Sequence, residues 1–230
     1  MLKFFWKILR RIVVAFLAST ILAVLALRFL PVWFTPLMFI RCYEQVKEGT
    51  ELKLSHDWIS ISDMSEYMPL AVMASEDANF LSHHGFDYKA IEHAAKRNRQ
   101  HPEKRKLGAS TISQQTAKNV FLWPGRSWIR KGFEVYFTGL IELFWSKQRI
   151  MEVYLNSIEM GDGIYGVEAI ARENWGLRAS QLSKEQCALI AATLPNPRRF
   201  SSKHPSAYML KRQKRIVQEM KFVKPLRRNL

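Results

Sequence analysis

Residues 74–98, ASEDANFLSHHGFDYKAIEHAAKRN, concentrate the carboxylates and imidazoles that could do chemistry. Zinc binding by histidines requires ligands about one helical turn apart, as in HExxH, whereas His83 and His84 are adjacent. Glu76 and Asp77, followed by His83, suit an acid–base site better than a metal site. The alternative that this stretch leaves open is a helix end with ordinary capping and salt-bridging residues.

A second polar set lies further along the chain. Arg130 and Lys131 stand four and three residues before Glu134, so both cations neighbour one carboxylate on the same face of a helix. Taken alone, this pattern is usual for a solvent-exposed face that carries ion pairs.

A third polar set lies at an expected helix start, where Thr111 and Gln114 have the spacing of a capping box. The free N–H groups of a helix start favour an anion, although a simple cap would explain the same residues. A basic loop is expected over 96–106, between the first and third sets. The three sets together indicate one anionic ligand held by several elements. The third set consists of Ser110, Thr111, Gln114, Gln115 and Lys118.

The elements that must position these sets are predicted to be helices almost throughout the body of the chain. Apolar residues recur at helical spacing and strand signals are few, so the predicted fold class is mainly α. Asp87 is expected to cap the helix that follows it. After Ser127, an apolar stripe is expected to face the core, opposite the strip with Arg130 and Glu134. The stripe consists of Ile129, Phe133, Phe137, Leu140 and Phe144. The predicted helices cover 63–80, 87–98, 108–119, 127–146, 146–156 and 182–197.

The N-terminal 40 residues predict a membrane anchor. An uncharged run from Ile12 to Leu27 follows four basic residues, and the aromatic segment FLPVWFTPLMFI after Arg28 suits a membrane interface. A cleaved signal peptide is the alternative, but no small-x-small site follows Leu27. We therefore expect a cytoplasmic basic tail over 1–11, a transmembrane anchor and interfacial segment over 12–40, a linker over 41–60, and a catalytic domain over 61–230 with a basic C-terminal tail. The positive residues before the span place the N-terminus in the cytoplasm and the domain outside.

The charge of the chain is concentrated at its two ends. The formal net charge is +15, and residues 198–230 contain eleven basic residues against one acidic residue. No phosphate-binding glycine loop, zinc-finger spacing or RNA-binding aromatic motif accompanies this charge, so lipid headgroups are the expected partner and nucleic acid is not. Cys42 and Cys187 have no metal or redox spacing, and two free thiols or one disulfide remain possible.

The chain resembles the family 51 peptidoglycan glycosyltransferases, which include the glycosyltransferase domain of class A penicillin-binding proteins. The resemblance extends from about residue 60 to about residue 220. Four segments carry it, in the order of the family's motifs. They are EDANFLSHHGFD (76–87), GASTISQQTAKN (108–119), RKGFE (130–134) and KQRIMEVYLN (147–156).

The resemblance implies a lysozyme-like, α-rich domain that polymerises lipid II into β-1,4-linked glycan, with inversion and release of polyprenyl diphosphate. Such a reaction needs one base for the acceptor hydroxyl, and it needs no strong acid, because diphosphate leaves well once cations meet its charge. By motif position, Glu76 is the base, and Glu134 is a second essential acid that orients the cations or binds a metal. Lys118, Arg130 and Lys131 are the cations at the diphosphate.

The resemblance also implies supporting residues, a cofactor and partners. Structural and positioning roles fall to Asp77, Phe80, His83 and Gly85, and cleft contacts to Ser110, Thr111, Gln114 and Gln115. Mg²⁺ or Mn²⁺ is expected at Glu134, without an organic cofactor. The expected partners are lipid II, the growing glycan strand, membrane lipids, and proteins of cell-wall synthesis or division. The expected location is the bacterial cytoplasmic (inner) membrane. No SxxK motif is present, so no transpeptidase activity is expected.

Two alternatives remain at this point. A lysozyme-like lytic enzyme would cleave finished peptidoglycan with one carboxylic acid and would not need three clustered cations. A non-catalytic scaffold anchored in the membrane would bind envelope lipid through its basic ends.

Overall fold

The computed structural model describes residues 2–104, 106–125 and 127–226, and over these residues the chain is mainly α-helical, as predicted. Arg105, which belongs to the predicted basic loop, and the last four residues of the predicted basic tail lie outside the described residues. The strands are β1 Ser55–His56, β2 Glu159–Gly161 and β3 Ile164–Tyr165. They form a small sheet with the order β1-β3-β2, in which β1 and β3 are parallel and β2 and β3 are antiparallel. The helices of the described residues are α1 Leu2–Leu27, α2 Pro36–Glu48, α3 Tyr67–Glu76, α4 Tyr88–Gln100, α5 Ile112–Phe121, α6 Trp128–Phe144, α7 Lys147–Ser157, α8 Val167–Trp175, α9 Lys184–Thr193 and α10 Ala207–Glu219.

Helix α1 contains the predicted anchor. Residues 3–27 form a helix that is long and apolar enough to cross a membrane, which is consistent with a single-pass anchor. The expected basic tail over 1–11 is part of the same helix from Leu2 onward, so no backbone boundary separates tail from span. The C-terminal end of α1 packs on the catalytic domain: Val24 is fully buried, and its carbonyl accepts a hydrogen bond from Trp145 Nε1 at 2.8 Å.

The predicted linker over 41–60 is wrong in its first half, which is helical. Thr35 caps α2 through its side chain, Pro36 occupies the first turn, and Gly49 ends the helix in the left-handed conformation at φ +68°. Farther along, β1 pairs with β3. The polar sequence of the segment predicts a linker, whereas these start and stop signals define a surface helix with one buried edge.

The catalytic core forms around two groups of helices. Helix α3 packs on α9 and α10, and α5 packs against both α6 and α7. Helix α10 forms much of the predicted basic tail and buries Met209 and Ile216, so this segment is part of the folded domain. Both cysteines are free thiols, and burial raises the pKa of Cys187 to about 12.

The predicted orientation of α6 requires correction. Ile129, expected in the core, is 72% exposed, whereas Arg130 and Glu134, expected in solvent, are 8% and 3% exposed. Phe137 of the apolar stripe is buried as predicted, and Phe133, Leu140 and Phe144 are partly buried. Because α5 packs on α6, the polar strip of α6 is enclosed rather than solvated.

The predicted basic loop also begins too early. Helix α4 continues to Gln100, so residues 96–100 are helical and the irregular segment starts at His101, before Pro102. Asn98 joins helix and loop, because its side chain donates to the Leu107 carbonyl at 3.0 Å and accepts from the Leu107 N–H at 2.8 Å. The absence of apolar periodicity reflects the exposed position of α4.

Candidate active site

The Glu76 carboxylate ends α3 and is held by contacts from three elements. Ser75 Oγ donates to Oε1 at 3.1 Å, and Gln115 Nε2 of α5 donates to Oε2 at 3.2 Å. Arg212 Nη2 of α10 lies 3.7 Å from Oε1 and also donates to Ser75 Oγ at 3.0 Å. The Glu76 side chain is 15% exposed, so it is oriented by neighbours and still reachable from outside.

Asp77 and His83 join the first motif to the start of α5. His83 Nε2 lies 3.0 Å from both Asp77 carboxylate oxygens, and Asp77 Oδ2 also accepts from the Ile112 N–H at 3.0 Å. Thr111 Oγ1 donates to the Gly85 carbonyl at 2.6 Å, which links the same two segments again. These contacts fix α5 relative to Glu76.

Two residues of the first motif, Phe80 and Gly85, fix the local backbone by packing. Phe80 is fully buried, and Lys147 Nζ lies over its ring at 4.6 Å. Gly85 has φ +86°, and a Cβ there would lie 2.8 Å from Thr138 Cγ2, so only glycine fits. Asp87 caps α4 as predicted, accepting from the Ala90 N–H at 2.9 Å, and hydrogen bonds lower the pKa of its carboxyl group.

Some of the polar residues at the start of α5 stabilise the helix, and others lie at the cleft. Thr111 and Gln114 form the predicted capping box and are buried, whereas Ser110 is exposed. Gln115 points to Glu76 and accepts a hydrogen bond from the Tyr154 hydroxyl at 3.1 Å. The amide of Gln115 therefore has its donor and acceptor ends both fixed.

Three cations surround the buried carboxylate of Glu134. Arg130 Nη1 donates to Oε2 at 2.6 Å, and Lys131 Nζ donates to Oε1. Burial lowers the pKa of Lys118, an effect that the charge of Glu134 opposes and the charges of Arg130 and Lys131 reinforce. The charge of Glu76 opposes this lowering as well, so both carboxylates act electrostatically on Lys118.

The donor set around Glu134 does not fit a resident divalent ion. Both carboxylate oxygens already accept from cationic side chains, and within the described ranges no group of three or more His, Cys, Asp or Glu side chains is placed to hold a metal. The expected role of Glu134 as a metal ligand is therefore not supported by its surroundings, and dependence on Mg²⁺ or Mn²⁺ stays a prediction.

A cleft of about 460 Å³ opens beside these cations. Gln115, Lys118 and Arg130 form one part of its wall, and Arg41 and Glu159 form another. The remaining lining is largely apolar and consists of Leu37, Asn119, Leu122, Trp123, Pro124, Gly125, Ile158, Leu194, Pro195 and Pro197.

Sequence reasoning missed several residues of this region. Arg212 and Arg41 stand in the predicted basic tail and the predicted linker, and no sequence pattern marks Glu159 as a site residue. A sequence signal exists for Arg212 alone, because it lies one helical turn from the buried Met209 and Ile216 and must therefore lie near the core side of α10. Asn156 braces the fold, because its amide is bonded to both backbone groups of Ile59.

The arrangement defines a class of enzyme. A partly exposed carboxylate can accept a proton from a hydroxyl, while a nearby enclosed cluster of cations can meet negative charge on a leaving group. An α-helical cleft of this kind suits transfer of a glycosyl group from an anionic carrier.

Comparison with known proteins identifies the family. The family model described as transglycosylase matches residues 44–221 of this chain. A protein of Bacteroides thetaiotaomicron named biosynthetic peptidoglycan transglycosylase is 61% identical over 214 residues, which cover 93% of this chain and 86% of that protein. A protein of the same name from Bdellovibrio bacteriovorus is 50% identical over 92% of this chain and 86% of that protein. One from Pseudomonas fluorescens is 46% identical over 96% of this chain and 91% of that protein.

The chain belongs to the transglycosylase family, and its activity is that of a peptidoglycan transglycosylase, a glycosyltransferase of peptidoglycan biosynthesis. The predicted fold, family and enzyme class are confirmed, and the non-catalytic scaffold is excluded. The substrate is of the glycan and lipid II type.

Proposed function

We propose that the enzyme polymerises lipid II into β-1,4-linked glycan with inversion and release of polyprenyl diphosphate. The observation that carries this proposal is that Gln115, which is hydrogen-bonded to Glu76, lines the same cleft as Lys118 and Arg130. A carboxylate and a cation cluster at one site support a displacement at an anomeric carbon with a diphosphate leaving group.

In this proposal, Glu76 takes the proton from the 4-hydroxyl of the acceptor. Gln115 and Ser75 each donate a hydrogen bond to one carboxylate oxygen and so fix its direction. A carboxylate oxygen has lone pairs for more than one hydrogen bond, so Glu76 can receive the acceptor hydroxyl while both donors stay in place. Arg212 stabilises the carboxylate from the side of α10.

Lys118, Arg130 and Lys131 meet the developing charge on the diphosphate. Glu134 balances part of their mutual repulsion when the site is empty, which allows three cations to be held close together. Because Lys118 is largely enclosed, its interaction with a phosphate oxygen is weakly screened by water. No strong general acid is then required on the leaving group.

The decisive experiment gives the full-length enzyme in detergent or liposomes two substrates separately, purified lipid II and finished peptidoglycan. Glycan polymer from lipid II supports the proposal, whereas soluble muropeptides from peptidoglycan with no polymer from lipid II would establish the lytic alternative. Glu76→Gln is expected to lower kcat by roughly 10²–10⁴-fold, the usual contribution of a general base. The matched control is Glu92→Gln, because Glu92 lies exposed on α4 outside the cleft.

We also propose that α1 crosses the bacterial cytoplasmic membrane with its N-terminus in the cytoplasm and the catalytic domain outside. The clustered cations at the start of α1 support this orientation. Without an SxxK motif in the sequence, we propose that the chain has no transpeptidase activity of its own. Proteins of cell-wall synthesis or division remain proposed partners.

A further inference from the structure

The wall of the cleft that Arg41 and Glu159 form is unlike the cationic part. Arg41 projects from α2, the helix that follows the membrane segment, and Glu159 begins β2. Arg41 Nη2 lies 3.5 Å from Glu159 Oε2, and Arg41 Nη1 donates to Glu44 Oε2 at 2.6 Å. Arg198 lies 3.8 Å from the same Glu44 oxygen and 3.4 Å from Asp162. Two guanidinium groups therefore meet three carboxylates here, and this wall has no excess positive charge to attract a phosphate.

The pair is buried and incompletely hydrogen-bonded. Glu159 is 5% exposed, and its Oε1 has no hydrogen-bond partner within the described part of the chain. Arg41 Nε has no hydrogen bond either, although it lies 3.5 Å from Glu159 Oε2, and the hydroxyl of the fully buried Tyr165 has none. Tyr165 is the cross-strand partner of Glu159 in the β2–β3 pair, so the two side chains share one face of the sheet.

Buried polar groups in folded proteins are nearly always hydrogen-bonded, so three open groups at one place indicate a missing partner. The open groups are one carboxylate acceptor, one guanidinium donor and one phenol that can do either. A partner must therefore both donate and accept. Sugar hydroxyl and acetamido groups have this property, and phosphate oxygens do not.

The rest of the lining supports a sugar ring at this place. Ile158, Leu194 and Pro195 give an apolar surface beside the pair, and Trp123 adds an aromatic face that is 44% exposed. Aromatic and apolar surface next to a few fixed polar groups is the usual composition of a small-molecule site. In the cationic part of the cleft the neutral amide of Gln115 is already bonded at both ends, to Glu76 and to Tyr154.

We propose that Arg41 and Glu159, supported by Tyr165, form a saccharide subsite that binds a hydroxyl or acetamido group of the glycan. The subsite positions the sugar while the cation cluster binds the diphosphate. This inference rests on the proposed function, since it assigns the neutral part of the same substrate to a second wall of the cleft. Burial also raises the pKa of the Glu159 carboxyl group, an effect that the charges of Arg41 and Arg198 oppose.

The test compares the full-length wild-type enzyme with Glu159→Gln, and Asp162→Asn serves as the matched control. Asp162 lies three residues further along, its side chain is 63% exposed, and it is not part of the cleft wall. Binding is measured by calorimetry or saturation-transfer NMR with three probes: triacetylchitotriose, cellotriose and inorganic diphosphate. Chitotriose and cellotriose separate recognition of acetamido groups from recognition of hydroxyl groups.

Glu159→Gln is expected to weaken chitotriose binding roughly tenfold, the effect of losing a hydrogen bond to a charged group, and to leave diphosphate binding unchanged. With lipid II, KM is expected to rise by a similar factor while kcat stays within about twofold. Asp162→Asn should change none of these values. If Glu159→Gln does not fold, Arg41→Lys is tested instead, and the same selective loss of saccharide binding is expected.

The proposal is overturned if Glu159→Gln lowers the melting temperature but binds chitotriose as the wild type does, because the pair is then only structural. Equal losses for saccharide and diphosphate would also overturn it, since they indicate general damage to the cleft. Failure of the wild type to polymerise lipid II would instead refute the proposed function, and that result is scored independently of saccharide binding.

Discussion

Replacing Glu134 by glutamine tests whether the buried carboxylate serves to hold the cations around it in place. The side chain is 4% exposed, and its two oxygens accept from Arg130 and Lys131. Glutamine keeps the volume and one oxygen acceptor but removes the charge. Arg130, whose side chain is 10% exposed, then remains enclosed beside Lys118 without a full counter-charge.

The expected loss of stability follows from this burial. Removing one partner of a buried ion pair costs about 3–5 kcal/mol, because the other charge stays desolvated. The lower end applies here, since Lys131 is 39% exposed and can turn to solvent, and since the glutamine oxygen still accepts one hydrogen bond. A loss of about 3 kcal/mol corresponds to a fall in melting temperature of roughly 6–12 °C for a chain of this size.

Glu168→Gln gives a matched comparison away from the cleft. Glu168 is also a buried acid paired with an arginine four residues away, Arg172, but that arginine is 56% exposed. Glu168 in addition accepts from the Ala179 N–H at 2.7 Å. We expect this variant to lose stability, because a buried hydrogen bond weakens, and to keep its kcat on lipid II.

The assay measures thermal unfolding and lipid II polymerisation for both variants, at a temperature where each is folded. Glu134→Gln is expected to lower kcat by about 10²-fold or more, the loss seen when charge stabilisation of a transition state is removed. If both variants lose stability and keep kcat, then Glu134 serves folding alone, and the assignment of the cation cluster to the diphosphate is refuted.

Further predictions concern the other charged groups and the membrane. Burial lowers the pKa of Lys118 from the ordinary value of 10.5, so the lysine loses its charge when the pH is raised through that lowered value. KM for lipid II should therefore rise at a pH below 10.5. Lys118→Arg should move this rise to higher pH, because arginine keeps its charge. Arg212→Gln is expected to lower kcat roughly tenfold with little change in KM, whereas Arg215→Gln, at a side chain 76% exposed on the same helix, should change neither. Chelation of divalent ions is expected to slow polymerisation without abolishing it, and full loss with EDTA would contradict a site in which protein cations alone meet the diphosphate. After replacement of the native cysteines, Lys3→Cys should resist an impermeant maleimide added outside the cell, and Glu103→Cys should react.

The local signals in the sequence were sufficient to place most helices. Asp87 caps α4 and the Thr111–Gln114 box starts α5, because capping depends on residues only three positions apart. The predictions failed where helices meet. Arg130 and Glu134 have the spacing of an exposed ion pair, and their burial depends on the packing of α5, which the sequence of α6 does not encode.

The site shows the same division between local and distant information. The residues of the sequence motifs could be proposed from spacing and resemblance, and the structure brings Glu76, Gln115 and Lys118 to one region. Arg212 could not be assigned in this way, since it is 136 positions from Glu76 in sequence and reaches it only because α10 packs on α3 and α9. Glu159 likewise could not be assigned from sequence, because its partner Arg41 lies on α2, a segment whose sequence predicts a linker.

In the proposed mechanism, with Glu76 as the base and Lys118 as a cation at the diphosphate, helix α5 couples the two halves of the reaction. Gln115 and Lys118 stand three residues apart and therefore on one face, so that a single rotation of the helix sets both the direction of the base and the place of a cation. That rotation is fixed at its start by Thr111, which bonds to the Gly85 carbonyl, and by the Ile112 N–H, which bonds to Asp77. The histidine that pairs with Asp77 thus acts at a distance from the chemistry, because it stabilises the carboxylate that holds α5. The positions of Asp77 and His83 next to Glu76 are therefore explained by their contacts with each other and with α5, and neither residue has to bind a metal or donate a proton.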